Sequence, residues 1–376
     1  MNKLKVMKLN KIAVIGIKGL PSAGGTASVG ESLIKRLCLD YNFSIYLMKS
    51  KSTETKLQNR NIEYIIVNDT FLMGSGKIIP PLYYYIYSTV HLLFTSNHDL
   101  VHIHNRDSAF VLPFLSIKYK TIVTLHGTNL TDKWQKYDFI FKIFDKLVVK
   151  FSSGITSVSA VLYSKVYTNN NKPRFIPNGV ESYSMYRGNS EKKNNSKQII
   201  CFAAGRILKT KGLHILLEAL LESNFDYEVW VFGNIDFESK YGSYIKHLSK
   251  KVDCHFHGMI NDKESLLKTI GKSSLFVYPS YIETMSMMLL EVASLGVPII
   301  CADIIENKNL FSNNEVLFFK SESKGSLLQA INFAFNDMDL LHEKSLLAMN
   351  KVAKDHDWND IVLTYSDFYE EVLNHE

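Results

Sequence analysis

Glu283 and Glu291 stand eight positions apart in the stretch PSYIETMSMMLLE (Pro279–Glu291), between an apolar run (Leu275–Tyr278) and a helical pattern that stops at Gly296-Val297-Pro298. Positions eight apart share one face of a helix, little more than two turns apart. Glu283 falls at or before the helix start. One carboxylate is therefore expected in the loop and the other inside the helix, both aimed at one crevice. Free backbone N–H groups at a helix start receive an anion or a cluster of hydroxyls. A polyol such as a sugar suits that array.

Cations come next. GRILKTKG (Gly205–Gly212) follows an apolar run and opens a helical pattern. Arg206 and Lys211 are thus expected at a strand end beside a positive helix terminus, a natural seat for a diphosphate. The loop GIKGLPSAGG (Gly16–Gly25) lets backbone approach a phosphate or a sugar. It does not carry the dinucleotide fingerprint: the spacing is not G-x-G-x-x-G, and no ribose-binding acid ends the second strand. His126, in Leu125-His126-Gly127, is expected at a strand exit, where crevice residues belong. The pairs His102/His104 and His255/His257 alternate along strands, but without a third ligand neither suggests zinc. No Asp-x-Asp cluster suited to a nucleotide-bound Mg²⁺ is read, so no metal or other cofactor is expected.

Short apolar runs alternating with amphipathic stretches must position these groups. Lys11–Ile17, Phe43–Met48, Ile62–Val67, Leu100–Ile103, Thr121–Leu125, Ile155–Val158 and Arg174–Ile176 read as strands. Helix-period segments lie between most of them, such as Ser28–Leu39, Leu82–Phe94 and Phe139–Phe151. A polar stretch then breaks the pattern. The second series has strands at Gln198–Ala204, Tyr227–Phe232, Cys254–Phe256, Leu275–Tyr278 and Val297–Cys301. Its helices are Gly212–Leu221, Tyr244–Lys250, Lys263–Ile270 and Ser286–Leu295. This alternation predicts an α/β chain of two Rossmann-like doubly wound domains facing a cleft, with ligands at the carboxyl ends of strands. The expected boundaries are 1–182, a linker 183–197, and 198–357. A closing helix over 358–374, with Trp358, Ile361, Tyr365 and Phe368 on its apolar face, is expected to pack back onto the first domain.

Composition agrees with that plan. A chain of 376 residues, 46% of them apolar, is too long for one core. Met1–Val180 holds 23 Lys and Arg against 10 Asp and Glu, a net +13, whereas the remainder holds 20 against 27, a net −7. A basic half beside an acidic half points the first at something anionic. No recognised motif accompanies the charge, so nucleic acid is not expected. Ile78–Asn97 contains no Asp, Glu, Lys or Arg. Pro80-Pro81 breaks its start and leaves too few residues for the ~20 of a membrane span, so a buried or interfacial helix is expected. Cys38, Cys201, Cys254 and Cys301 are scattered and read as buried free thiols in a reducing cytosol. The basic first residues lead straight into a strand without a long apolar region, which argues against a signal peptide.

The chain resembles the retaining glycosyltransferases of family 4, which have the GT-B fold. The resemblance rests on GIKGLPSAGG, VTLHGTNLTDKW (Val123–Trp134), ITSVSAVLYSKVY (Ile155–Tyr167), FIPNGV (Phe175–Val180), GRILKTKG, HFHGMI (His255–Ile260), and the Glu-x7-Glu block running into VASLGVPIICADIIENK (Val292–Lys308). These pieces cover both domains in the family's order. The resemblance implies metal-independent transfer, with retention, of a hexosyl unit from a nucleotide diphosphate sugar. The acceptor would be a hydroxyl of a glycan or polyprenyl-linked oligosaccharide in surface polysaccharide synthesis, such as lipopolysaccharide or capsule. It implies Arg206 and Lys211 on the donor diphosphate, Glu283 on the donor sugar and Glu291 on the ribose. His126 would reach the sugar or phosphate, so Glu283 and His126 are the catalytic candidates. Gly24 and Gly25 would pack against the donor, and backbone around His257 and Gly258 would meet the base. Two departures stand out. Thr284-Met285-Ser286 replaces a common Gly-Phe-Gly, so Met285 and Ser286 would narrow the sugar pocket, and Ala27 replaces a common Glu. The expected place of work is the cytoplasm, peripheral at an anionic inner membrane surface. The alternatives are a catalytically silent nucleotide-sugar-binding subunit of a polysaccharide assembly and a GT-B-fold sugar-nucleotide epimerase.

Overall fold

Strand β1 (Lys11–Lys18) buries six consecutive residues, as expected of a strand covered on both faces of a parallel sheet. It belongs to a seven-stranded sheet with β2 (Asn42–Met48), β3 (Ile62–Val67), β4 (Leu100–His104), β5 (Lys120–Leu125), β6 (Gly154–Ser157) and β7 (Arg174–Phe175). The order is β3-β2-β1-β4-β5-β6-β7, and every pairing is parallel. Helices α1 (Gly25–Leu37), α2 (Ile79–Thr95), α3 (Leu112–Leu115) and α4 (Asp138–Phe151) connect these strands. This computed structural model describes residues 9–20, 25–52, 59–127, 138–160, 172–187 and 197–375. Gly24 lies outside them, as do Thr128–Trp134 and Val161–Tyr167 of the sequence blocks quoted above.

The chain divides into two units, Met1–Asn178 with Trp358–Glu376, and Gly179–Asp357. The second holds β8 (Gln198–Arg206), β9 (Tyr227–Asn234), β10 (Cys254–Gly258), β11 (Leu275–Tyr278), β12 (Ile299–Ala302) and β13 (Leu317–Phe319). They form a parallel sheet in the order β10-β9-β8-β11-β12-β13. Its helices are α5 (Leu213–Leu220), α6 (Lys240–Ser249), α7 (Lys263–Ile270), α8 (Met287–Leu295), α9 (Ile305–Leu310), α10 (Lys324–Asn336) and α11 (Met338–Asp355).

Helix α12 (Trp358–Asn374) returns the chain to the first sheet. The Tyr369 hydroxyl lies 2.7 Å from His102 Nδ1 on β4. A Cβ on Gly154 would sit 2.7 Å from the Phe368 ring and 2.8 Å from Val372, so β6 and α12 pack closely at that glycine. The Arg36 guanidinium stacks over the Trp358 ring at 4.9 Å.

Three expectations need correction. The reading from sequence ended the second series at Cys301, whereas β13, α9, α10 and α11 follow. β13 has only three residues, and the buried face of α11 includes Ser345 and Ala348 beside Leu341 and Val352, a weak periodic signal. α6 begins at Lys240 rather than Tyr244, because Ser239 Oγ accepts from Gly242 N at 2.9 Å and caps it. Cys254 is only half-buried, unlike Cys38, Cys201 and Cys301, because β10 is an edge strand. Among the described residues no helix is long and apolar enough to cross a membrane.

Candidate active site

In the second unit the strand order reverses between β8 and β11, and ligands of such sheets gather beyond the carboxyl ends at that reversal. The loops leaving those two strands are joined. Gly212, with φ +74°, adopts a left-handed conformation, and a Cβ there would lie 2.1 Å from the Pro279 carbonyl oxygen. Tyr281 N donates to Thr210 O at 3.1 Å, and Ser280 Oγ donates to the same oxygen at 3.2 Å. This seam sets Lys211, just before α5, against Glu283, four residues before α8. The lysine Nζ donates to Glu283 Oε1, and the Tyr278 hydroxyl at the end of β11 donates to that oxygen at 2.5 Å. Burial and the facing carboxylate push the Tyr278 phenol well up, so it stays a donor. Arg206 ends β8 with an exposed side chain and no ion pair among the described residues.

Glu291 is held differently. It is buried inside α8, and Lys263 at the start of α7 donates to Oε1 at 2.6 Å. Oε2 is buried without a hydrogen-bond partner. Burial raises the Glu291 pKa, and Lys263 opposes that rise. The two carboxylates therefore have separate cationic partners, Lys211 for Glu283 and Lys263 for Glu291, which the spacing of the acids alone did not announce.

The Thr284-Met285-Ser286 departure also has a structural role. Ser286 Oγ accepts from Leu289 N at 3.3 Å and caps α8. Met285 packs against the hydrophobic core under β11. On the other side of the sheet reversal, the exposed His257 ring stacks on Phe232, with centroids 4.8 Å apart. Gly258 follows with φ +69° and open space where a Cβ would be. His255 turns away to Asp253 Oδ1 at 2.8 Å.

In the first unit the strand order reverses between β1 and β4. A Cβ on Gly16 would lie 2.2 Å from the His104 carbonyl oxygen, and Gly16 N donates to the Tyr84 hydroxyl at 2.9 Å. Lys18, the last residue of β1, and Asn105, just after β4, take positive φ values of 64° and 81°. Lys18 is tied to Asp107 at 3.0 Å. Gly25 begins α1 and is exposed. His126 follows β5, and its Nε2 lies 2.8 Å from His104 Nδ1. Burial depresses both imidazoles, His104 to about 3.

Lys263, Tyr278 and His104 were not singled out as site residues by sequence reasoning. For Tyr278 a signal existed: a phenol ending an apolar strand five residues before Glu283. Nothing local marked Lys263 as the partner of Glu291. Nor is the chain free of Asp-x-Asp spacings, since it has Asp337/Asp339 and Asp355/Asp357. Asp337 Oδ1 accepts from Leu340 N at 3.1 Å to cap α11, and Asp355 pairs with Lys351 at 2.7 Å. Asp339 and Asp357 also have partners.

Comparisons with known proteins bear on the family and the fold. Residues 187–354 match the family model described as Glycosyl transferases group 1. The chain is 28% identical over 252 residues to a putative teichuronic acid biosynthesis glycosyltransferase, TuaC of Bacillus subtilis (strain 168), across 62% of this chain and 60% of that protein. It is 22% identical over 285 residues to CapM, a capsular polysaccharide biosynthesis glycosyltransferase of Staphylococcus aureus, across 69% and 74%. In fold it is similar to Anabaena HepE in complex with UDP-glucose, with a TM-score of 0.77 at 14% identity over 96% of this chain and 100% of that one.

Proposed function

We propose that this chain, a glycosyltransferase of the group 1 type with the GT-B fold, moves a hexosyl unit from a nucleotide diphosphate sugar to a hydroxyl of a glycan or lipid-linked oligosaccharide in surface polysaccharide biosynthesis. The observation that carries this reading is the cluster of Lys211, Glu283 and Tyr278 on joined loops at the strand-order reversal. A donor sugar with its diphosphate needs a cation and a hydroxyl acceptor side by side, and the cluster supplies both. The relatives' part in teichuronic acid and capsular polysaccharide biosynthesis supports the product class.

Each residue then has a task. Arg206 and Lys211 offset the charge that builds on the leaving diphosphate, without a metal ion. Glu283 accepts from donor-sugar hydroxyls, Glu291 takes the ribose through Oε2, and His126 meets the sugar or phosphate. The His257–Phe232 stack and the open backbone at Gly258 border the base. In the reaction the bond from the anomeric carbon to the phosphate oxygen breaks. The acceptor oxygen bonds that carbon on the same face, and its proton leaves with the phosphate. Lys211 is tied to Glu283, and the bound donor exchanges that ion pair for phosphate and sugar contacts.

The same reading includes attachment to an anionic membrane. Leu82, Ile86, Val90 and Phe94, four residues apart on α2, are all exposed, Phe94 at 81%. A helix that leaves such a row in water has an apolar face to place in a lipid interface. Co-sedimentation with anionic vesicles should exceed that with neutral ones and fall with salt. Equal partitioning, or none, refutes attachment.

The transfer itself is tested by titrating UDP-, GDP- and dTDP-sugars into the protein by calorimetry and following turnover of each binder. Binding of at least one, with hexosyl transfer to a glycan acceptor, is expected. Binding without turnover makes the chain a silent nucleotide-sugar subunit, and no binding refutes the donor site.

A further inference from the structure

We infer that His104 holds His126 as the neutral tautomer protonated on Nδ1, which makes His126 a hydrogen-bond donor to substrate and not a general base. The 2.8 Å separation of His104 Nδ1 and His126 Nε2 requires one proton between them, because two bare lone pairs repel and two N–H groups clash. The ring planes differ by only 18°, which suits an in-plane N–H···N bond. Burial keeps both rings neutral, so each carries one proton.

Two arrangements satisfy that count. If His126 Nε2 donated, His104 would carry its own proton on Nε2, which is buried without a hydrogen-bond partner. Orphaned buried N–H groups are rare in folded proteins. If His104 Nδ1 donates, only a bare ring nitrogen is left there, which leaves no buried N–H without an acceptor. A Cβ at Gly30 would touch Ile17 at 2.7 Å and His104 Cε1 at 3.4 Å. This second arrangement places the remaining His126 proton on Nδ1. That atom has no hydrogen bond among the described residues.

Other contacts fix the His104 ring. The His102 ring packs at 4.3 Å between centroids, and both nitrogens of His102 are engaged, by Tyr369 and by Thr124, each at 2.7 Å. His102 therefore cannot compete for the His104 proton. On this account His104 is a positioning residue. Its role in turnover rests on the proposed reading that His126 meets the donor; its role in the tautomer does not.

The experiment is a long-range ¹H–¹⁵N spectrum of the full chain labelled at its 12 histidines, with His126 assigned from its missing signal in His126→Gln. The expected pattern is a protonated Nδ1 and a bare Nε2 for His126. The opposite pattern overturns the inference, and the wild-type spectrum alone decides it. His104→Met removes the donor and should move His126 to the other tautomer or to an average. His104→Gln, whose amide can donate, should keep it. With transfer activity in hand, His104→Met should lower kcat by up to about tenfold, the scale of one neutral hydrogen bond to the transition state. Gln should restore turnover. The expected tautomer together with unchanged kcat in His104→Met would leave the tautomer standing and remove His126 from the donor reading.

Discussion

Lys263→Met tests how the second unit tolerates the buried carboxylate of Glu291. The variant keeps the lysine stem and removes its charge, leaving Oε1 as bare as Oε2. A hydrogen bond between charged groups contributes about 1.5–3 kcal/mol. The lysine side chain is 43% exposed while the glutamate is 4% exposed, so water screens one end and the lower part, about 1.5–2 kcal/mol, applies. For a domain of this size that corresponds to a melting point lower by about 3–8 °C. The loss depends on pH. Burial already raises the folded pKa of Glu291 above its unfolded value, with Lys263 opposing. Removing the lysine raises it further. The neutral acid contributes stability that is fully present below the unfolded pKa and lost as pH rises through the folded one. Wild type and variant should therefore differ least near about pH 4, below the unfolded glutamate pKa, and more near about pH 8. Thermal melts of both proteins at the two pH values measure the difference. An equal loss at both, or a larger one in acid, refutes the argument that an ionised, buried Glu291 depends on Lys263.

The site itself yields further tests. Lys211→Ala should weaken nucleotide diphosphate binding by about tenfold or more, since a charge-assisted contact is lost; calorimetry showing unchanged affinity removes Lys211 from the diphosphate. Glu283→Gln should lower kcat strongly and leave free nucleotide diphosphate affinity nearly intact, whereas Glu291→Gln should weaken that affinity instead; the reverse pattern exchanges their roles. Gly212→Ala forces a Cβ into a left-handed residue 2.1 Å from the Pro279 carbonyl, so it should cost about 1–3 kcal/mol or more and weaken donor binding as the seam opens; an unchanged melting point contradicts the seam. Activity should survive excess EDTA, and complete inhibition reversed by Mg²⁺ or Mn²⁺ would contradict charge neutralisation by Arg206 and Lys211 alone.

The sequence by itself determined the class of fold. β1, β2, β4 and β8 are apolar runs long enough to read without partners, because strands buried on both faces have no polar face to confuse the pattern. It also placed Arg206, Lys211, Glu283 and His126 at element ends, since glycines, prolines and breaks in apolar period mark where strands stop. Tertiary structure alone decided the partners. Lys211 and Glu283 are 72 residues apart and Lys263 and Glu291 are 28 apart; no local spacing announces either pair. β11 follows β8 in space because the strand order skips β9 and β10, and that adjacency brings the two loops together at Gly212 and Pro279. The same holds for His104 and His126, neighbours because β4 pairs with β5. Local sequence sets the period and the caps of each element. Which charges and imidazoles meet depends on sheet order, a sum of many long-range packing terms that no short window contains.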